Sequence, residues 1–117
     1  FGYDDAIYAA LRLLEILSQT GKQISSLLSD VPQTFATPEI RIDCPDDKKA
    51  EVVKKIKNHY RNAPGVIDID GVRIPFKEGW ALVRSSNTQP IIVLRFEASS
   101  SEALQAIRRE VEELLDL

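Results

Sequence analysis

The sequence is poor in residues that build disulfide or metal-bound frameworks. Among 117 residues there is one cysteine, Cys44, and one histidine, His59. A single cysteine cannot form a disulfide within the chain, so nothing points to an oxidising compartment, and we expect a cytoplasmic protein. A structural zinc site takes about four cysteine or histidine ligands, so we expect no metal site built on these two residues.

Methionine is absent altogether. Because the chain therefore lacks an initiator, we expect it to be a segment of a longer protein. Its first residues show neither the charged start nor the apolar centre of a signal peptide. No apolar run approaches the roughly 18 residues that span a bilayer, so we expect no membrane partner.

Basic residues are in the minority. The chain carries 15 Lys and Arg against 18 Asp and Glu, a formal net charge of −3. Proteins that bind nucleic acid usually have a basic excess that neutralises phosphates, and the strands show no pattern of exposed aromatic pairs. We therefore expect no nucleic-acid partner. The apolar share of 44% is typical of a globular chain.

The first third of the chain reads as helical. Residues 4–19 repeat apolar side chains at helical spacing, Asp4 or Asp5 can cap the start, and Gly21 can end the helix. A second short helix is predicted with Ile24, Leu27, Leu28 and Val31 on one side. Two prolines in residues 31–38 indicate a linker. We therefore expect residues 1–32 to end one domain and residues 33–117 to form another.

The second part alternates between strand and helix patterns. Residues 39–44 alternate as a half-buried strand, and a helix begins at Asp46 or Asp47. Its outer face carries five lysines, which we interpret as solvated: Lys48, Lys49, Lys54, Lys55 and Lys57. Strands at residues 67–69 and 72–74 are joined by the turn signal Asp70-Gly71.

Two further strands, 80–83 and 91–98, precede a helix for which Ser99 and Glu102 predict a capping box. The strand at 91–98 has apolar residues on both faces, which is typical of a central strand. The order predicts an α+β fold: an antiparallel sheet of about four to five strands with two helices packed on one face, preceded by a short helical segment.

The segment between the last two strands holds a dense set of hydrogen-bond donors. Residues 84–90, which we call the donor loop, read Arg-Ser-Ser-Asn-Thr-Gln-Pro, and no carboxylate occurs from residue 79 to residue 96. A guanidinium fork with hydroxyl and amide donors suits a phosphate dianion, and a tight turn can add backbone N–H groups as an anion nest. By composition alone, an ordinary polar turn fits equally well.

Residues 79–98, Gly-Trp-Ala-Leu-Val-Arg-Ser-Ser-Asn-Thr-Gln-Pro-Ile-Ile-Val-Leu-Arg-Phe-Glu-Ala, closely resemble the C-terminal domain of the α-D-phosphohexomutases, in the bacterial phosphomannomutase/phosphoglucomutase branch. Residues 4–17 resemble the helix that ends the preceding domain, and residues 37–40 resemble the start of the last one. Residues 86–88 of the donor loop read Ser-Asn-Thr and are followed by Gln89. The phosphoglucosamine mutase branch usually has Ser-Gly-Thr followed by a glutamate, so the loop differs from that branch.

The resemblance implies a function for the donor loop. It implies a TATA-box-binding-protein-like fold and a four-domain parent enzyme that interconverts hexose 1-phosphate and hexose 6-phosphate through a bisphosphate. The catalytic phosphoserine and the magnesium ion lie in other domains, so this chain alone is expected to be inactive and to bind no metal. The last domain grips the phosphate that is not transferred, and Arg84, Ser86, Asn87 and Thr88 match the family's phosphate-binding residues.

Other residues permit less specific interpretations. The wide apolar stripe of the first helix leaves open a non-catalytic module that binds a protein through that helix. Asp68 and Asp70 are explained by the hairpin rather than by a metal. Trp80 is expected to anchor the core or a domain interface, Arg95 to have a structural role, and His59 to lie at a helix end.

Overall fold

The computed structural model describes residues 4–115, in which an α-helical lead-in precedes an antiparallel sheet and two further helices. The helices are α1 (Ala6–Thr20), α2 (Asp46–Tyr60) and α3 (Ser101–Glu113). The strands are β1 (Phe35–Ala36), β2 (Ile40–Asp43), β3 (Val72–Phe76), β4 (Gly79–Ser85) and β5 (Ile91–Ala98). The chain divides into two compact units after Pro32.

The first unit is built on α1, whose ends follow the predicted caps. The Asp5 carboxylate accepts a hydrogen bond from the Tyr8 N–H at 2.9 Å, and Gly21 ends the helix with φ of +63°. No residue of Ala6–Thr20 is buried in the structure. Large apolar side chains on α1 and after it are instead exposed, including those of Ile7, Leu11, Leu14, Ile24, Leu28 and Val31.

The predicted second helix is wrong in its length. Only Ile24–Ser26 is helical, as a single 3₁₀ turn. The hydroxyl of Ser26 donates to the Gln23 carbonyl at 2.7 Å, and that of Ser29 donates to the Ser26 carbonyl at 2.9 Å. Serine side chains that bond to nearby backbone groups compete with regular helix formation, which explains why the apolar spacing did not extend the helix.

The second unit is organised around β5. This strand pairs with β4 on one side and with both β1 and β2 on the other, and β3 lies beyond β4. All pairs are antiparallel. The α+β fold with two helices on a five-stranded antiparallel sheet confirms the predicted class.

The core lies between one face of the sheet and the two helices. Alternate strand residues face it: Val72, Ile74, Ala81, Val83, Ile92, Leu94, Phe96 and Ala98. The helices contribute Val53, Ile56, Tyr60, Leu104, Ile107 and Val111. On the face opposite α2 and α3, Ile91 and Val93 are also buried, so the prediction of a central strand is confirmed.

The predicted hairpin strand at residues 67–69 is wrong. A single bridge joins Ile67 to Arg73, and Ile69 is 93% exposed, so the turn spans residues 68–72 instead of two residues. One physical reason is that the Lys57 ammonium bonds the Asp68 carbonyl at 2.9 Å, which draws this backbone towards α2. The additional strand is β1, a two-residue pairing inside the predicted linker that has no side-chain periodicity to reveal it.

The start of α3 differs from its prediction by one residue. Ser100, not Ser99, is the N-cap, and its hydroxyl accepts from the Ala103 N–H at 3.1 Å. The backbone N–H of Ser99 instead donates to the Glu78 carbonyl at 2.8 Å. This bond ties the end of β5 to the β3–β4 turn, so the helix begins one residue later than the sequence pattern indicates.

Candidate functional site

The donor loop connects two neighbouring strands and is anchored at both ends. The ladder between β4 and β5 continues to the pair Ser85–Ile92. Beyond it, the Ser86 N–H donates to the Ile91 carbonyl at 3.0 Å. The Pro90 carbonyl accepts from the Cys44 N–H at 2.8 Å, which links the loop to the end of β2. Only a short exposed segment therefore projects from the sheet.

Inside the loop the Ser86 hydroxyl acts as a local cap. Its oxygen accepts from the Thr88 N–H at 3.3 Å and from the Gln89 N–H at 3.1 Å. The Ile91 N–H bonds the Gln89 carbonyl at 2.9 Å. The N–H groups of Thr88, Gln89 and Ile91 are therefore engaged within the loop and do not contribute to a backbone anion nest in this conformation. Any anion would meet mainly side-chain donors.

The loop side chains fall into two groups. Those of Asn87 and Thr88 are exposed and make no hydrogen bond within residues 4–115. That of Gln89 is engaged, because its Oε1 accepts from Arg41 Nη1 at 3.3 Å. Of the four predicted residues, Arg84 lies at the end of β4, and Ser86, Asn87 and Thr88 follow it in the connection to β5. The side chains of the last two are unpartnered among residues 4–115, which suits them to an external acceptor.

Arg84 lies at the end of β4 with its side chain 42% exposed. Its Nη1 lies 3.5 Å from Asp70 Oδ2, which is too long for a strong hydrogen bond. The side chains of Arg84 and Asp70 are both exposed to solvent, which weakens their attraction further. The Arg84 Nε is buried and finds no partner among the described residues. Buried donors in folded proteins are nearly always paired, so this N–H is an exception among the buried polar atoms of residues 4–115.

Gly71 allows the 68–72 turn to lie directly on β4. It has φ of +75°, and a Cβ there would lie 2.3 Å from the Val83 carbonyl oxygen and 2.6 Å from the Arg84 Cβ. Only glycine fits this approach. The turn therefore places the Asp70 carboxylate beside the Arg84 guanidinium. This pair was not predicted from the sequence, where Asp70 and Gly71 were interpreted only as turn formers.

Lys49 is a second residue that sequence reasoning missed. Its side chain is 11% exposed, and its Nζ donates to the Ser86 carbonyl at 2.6 Å and to the Gln89 carbonyl at 2.9 Å. The prediction that it belongs to a solvated lysine face is wrong. Lys57, bonded to the Asp68 carbonyl, departs from that prediction too, whereas Lys48 and Lys54 are exposed as expected. The only sequence signal was the i, i+3 spacing of Lys49 from Asp46.

The remaining singled-out residues lie away from this turn. Trp80 is half-buried on the face opposite α2 and α3, with the Arg73 guanidinium 4.8 Å from its ring centre, and it is not part of the core. Arg95 is exposed. The His59 ring meets the edge of Tyr60 at 4.7 Å near the end of α2.

Neither a metal centre nor a membrane span is found in the described part of the chain. Among residues 4–115 no three His, Cys, Asp or Glu side chains are grouped closely enough to hold a metal ion. None of the described helices combines the length and the apolar character that crossing a bilayer requires.

Comparison with known proteins gives two adjoining family matches. Residues 39–114 match the profile described as phosphoglucomutase/phosphomannomutase, C-terminal domain. Residues 1–35 match the profile described as phosphoglucomutase/phosphomannomutase, alpha/beta/alpha domain III. The two profiles meet near residues 36–38, within the segment that sequence reasoning interpreted as a linker.

Individual relatives agree with these profiles. The chain is 43% identical over 109 residues to phosphomannomutase/phosphoglucomutase of Pseudomonas aeruginosa, covering 92% of this chain and 24% of that protein. It is 40% identical over 119 residues to phosphoglucomutase of Neisseria meningitidis serogroup B, covering 99% and 26%. A solved phosphoglucomutase/phosphomannomutase family protein from Burkholderia thailandensis superposes with a TM-score of 0.79 at 37% identity, covering 98% of this chain and 24% of that one.

The chain therefore spans about a quarter of the length of these relatives. The C-terminal domain profile covers well over half of the residues of this chain. At 37% identity, the likeness to the solved structure indicates a shared family as well as a shared fold. This chain belongs to the phosphoglucomutase/phosphomannomutase family, of which it contains the C-terminal domain.

Proposed function

We propose that this chain supplies the substrate-phosphate-binding domain of a phosphomannomutase/phosphoglucomutase, an isomerase that interconverts hexose 1-phosphate and hexose 6-phosphate through a bisphosphate. The observation that carries the proposal is the donor loop itself. The side chains of Asn87 and Thr88 have no hydrogen-bond partner within residues 4–115, and Arg84, whose side chain is 42% exposed, lies at the end of the strand that leads into them. The relatives' names supply the substrate class.

Four side chains of the loop have distinct parts in this proposal. The Arg84 guanidinium is planar and permanently charged, so it can bond two oxygens of one phosphate. The Asn87 amide and the Thr88 hydroxyl donate to the remaining oxygens. The Ser86 hydroxyl accepts from two backbone N–H groups and keeps its own proton to donate. These four residues are the proposed phosphate ligands.

The chemical step belongs to the rest of the parent enzyme in this proposal. The donor loop holds the phosphate that does not react, so it orients the sugar and contributes binding energy away from the reacting bond. The magnesium ion implied by the family would supply a positive charge at the transferred phosphoryl group. No cluster in residues 4–115 fits that ion, so we place its ligands in another domain.

We also propose that the chain contains parts of two domains. Residues 1–32 are the helical tail of the preceding domain, and residues 33–117 are the phosphate-binding domain. The division into two units after Pro32 and the change of matching profile between residues 35 and 39 support it. So do the exposed side chains of Ile7, Leu11 and Leu14, which in the parent enzyme would pack against the preceding domain.

A phosphate titration of the 117-residue chain tests the function. Backbone amide resonances would be followed by NMR as inorganic phosphate and then glucose 6-phosphate are added. The loop lacks the rest of the cleft, so we expect weak binding, about millimolar or about −4 kcal/mol, with the largest shifts at residues 84–88. Sulfate, a divalent anion of the same shape, is the specificity control. A folded chain without shifts at residues 84–88 would refute the assignment.

The exposed face of α1 favours a second candidate function, a non-catalytic module that binds another protein through this helix. The double variant Leu11→Glu and Leu14→Glu separates the two candidates. Both side chains are 60% exposed, so the substitution should not unfold the chain. A phosphate-binding domain keeps its phosphate-induced shifts in this variant, whereas an interaction module loses its protein complex.

A further inference from the structure

The ammonium of Lys49 joins three separate groups. Its Nζ lies 2.6 Å from the Ser86 carbonyl, 2.9 Å from the Gln89 carbonyl and 2.6 Å from a carboxylate oxygen of Asp46. A lysine ammonium has three N–H donors and no acceptor. All three donors are therefore engaged within the protein, and the side chain is nearly buried.

The two carbonyls that Lys49 holds bracket the exposed part of the donor loop. Ser86 immediately precedes Asn87 and Thr88, and Gln89 immediately follows them. One nearly buried cation on α2 thus bonds the residues on both sides of the dipeptide whose side chains are free to meet a ligand. The loop is about forty residues away along the chain, so this is a tertiary contact and not a local turn interaction.

We propose that Lys49 is a positioning residue that holds the donor loop in its phosphate-binding conformation, with Asp46 orienting the ammonium. The proposal rests on the proposed function of the loop. Lys49 acts through the backbone of Ser86 and Gln89, since its donors are already in use, so it does not itself contact the phosphate. Its contribution is to order the loop before the ligand arrives, which removes part of the entropy cost of binding.

The test replaces Lys49 in the 117-residue chain and measures loop order and phosphate binding separately. Lys49→Met removes the ammonium and retains most of the aliphatic stem. Lys48→Met is the matched control, because it removes the same charge from the adjacent, exposed position. Lys49→Arg keeps the charge and several donors. Lys49→Gln replaces the methionine variant if the latter does not fold, as judged from its amide spectrum.

The first readout is the ¹⁵N relaxation of the amides of residues 86–89 without phosphate. We expect lower order parameters there in Lys49→Met, unchanged values in Lys48→Met and near-native values in Lys49→Arg. The second readout is the titration with inorganic phosphate, in which we expect the dissociation constant of Lys49→Met to rise on the order of fivefold while Lys48→Met changes less than about twofold.

Each outcome separates the positioning role from its alternatives. Native loop order in Lys49→Met would overturn the proposal, whatever happens to affinity. An equal loss of affinity in Lys48→Met and Lys49→Met would assign the effect to net charge and would also overturn it. If the native chain shows no phosphate-induced shifts at residues 84–88, the proposed function fails, while the order parameters still decide whether Lys49 fixes the loop.

Discussion

Gly71 lies directly against Arg84: a Cβ on Gly71 would come within 2.6 Å of the Arg84 Cβ and 2.7 Å of its Cα. The turn and the strand are therefore in backbone contact at the residue that carries the guanidinium. This contact also fixes how close the Asp70 carboxylate comes to Arg84. A single glycine thus links the shape of the 68–72 turn to the charge balance at the donor loop.

Gly71→Ala should destabilise the second unit strongly. The new methyl group meets backbone atoms that cannot swing aside, and φ of +75° adds its own strain, so we expect a loss of at least about 2 kcal/mol in the free energy of unfolding. Gly65→Ala is the control, because Gly65 has a similar φ of +80° but the nearest atom that a Cβ there would meet is a Pro75 side-chain carbon at 3.4 Å. It should cost about 1 kcal/mol. Equal losses in urea unfolding would contradict the steric account.

Asn87→Asp should abolish most phosphate binding without affecting the fold. Asn87 is exposed and makes no hydrogen bond in the described part of the chain, so a carboxylate there disturbs no contact. It would, however, repel the phosphate dianion and remove a donor, and we expect the dissociation constant to rise by about tenfold or more. Asn58→Asp adds the same charge to an exposed position of α2. Comparable losses in the two variants, measured by NMR titration, would show a general charge effect.

Arg84→Lys tests whether the planar guanidinium of Arg84 contributes to phosphate affinity beyond its positive charge. Lysine is a point charge that cannot bond two phosphate oxygens in one plane, so we expect about a tenfold loss of phosphate affinity at unchanged net charge. Arg41→Lys is the matched substitution on the other side of the loop, where the guanidinium bonds Gln89. Affinity within about twofold of native is expected there. The assignment of Arg84 fails if its lysine variant binds phosphate as tightly as the native chain.

The parts of the fold that were predicted correctly depend on local pattern. The alternation along β5 marks a strand with two apolar faces, and Asp5 and Gly21 mark the ends of α1. The residues of the donor loop lie close together along the backbone simply because they are consecutive in the sequence. Such features need only neighbouring side chains, so one sequence is sufficient to predict them.

The parts that were missed depend on contacts between distant residues. Lys49 resembles its neighbours in a lysine-rich helix, and it is nearly buried because the donor loop lies against it. The strand β1 is two residues long and is defined by backbone pairing with the end of β5. In the same way, the Ser99 N–H is captured by the Glu78 carbonyl. None of these partners is visible from local periodicity.

Ser100 rather than Ser99 caps α3, so alanine substitution of these two adjacent serines should change the free energy of unfolding by different amounts. The Ser100 hydroxyl accepts from the Ala103 N–H, so Ser100→Ala should cost about 1 kcal/mol in the free energy of unfolding. Ser99 contributes its backbone N–H and no side-chain hydrogen bond within residues 4–115, so Ser99→Ala should change stability by less than about 0.5 kcal/mol. Chemical unfolding of the two variants would decide between the structure and the capping-box prediction, which requires the opposite order.

Tyr60 should make the stability of the second unit depend on pH in the alkaline range. Its ring is buried against Phe76, and its hydroxyl donates to the Glu110 carboxylate at 2.8 Å. Burial first, then this hydrogen bond and the negative charge of Glu110, raise the pKa of Tyr60 well above its ordinary value. The folded chain therefore keeps the phenol proton at a pH where the unfolded chain has released it.

The direction of the effect follows from this difference in bound protons. Below the ordinary tyrosine pKa of about 10 both states are protonated, so the stabilisation is fully present; above it the free energy of unfolding falls as pH rises. Tyr60→Phe should be less stable by about 1 kcal/mol near neutral pH, because the hydrogen bond is lost. It should also approach the native chain as the pH rises above about 10, because phenylalanine has no proton to lose. Urea unfolding of both proteins across that pH range measures the difference between their free energies of unfolding. Tyr8→Phe is the control for an exposed hydroxyl. A difference that stays constant with pH would show that Tyr60 does not couple folding to pH.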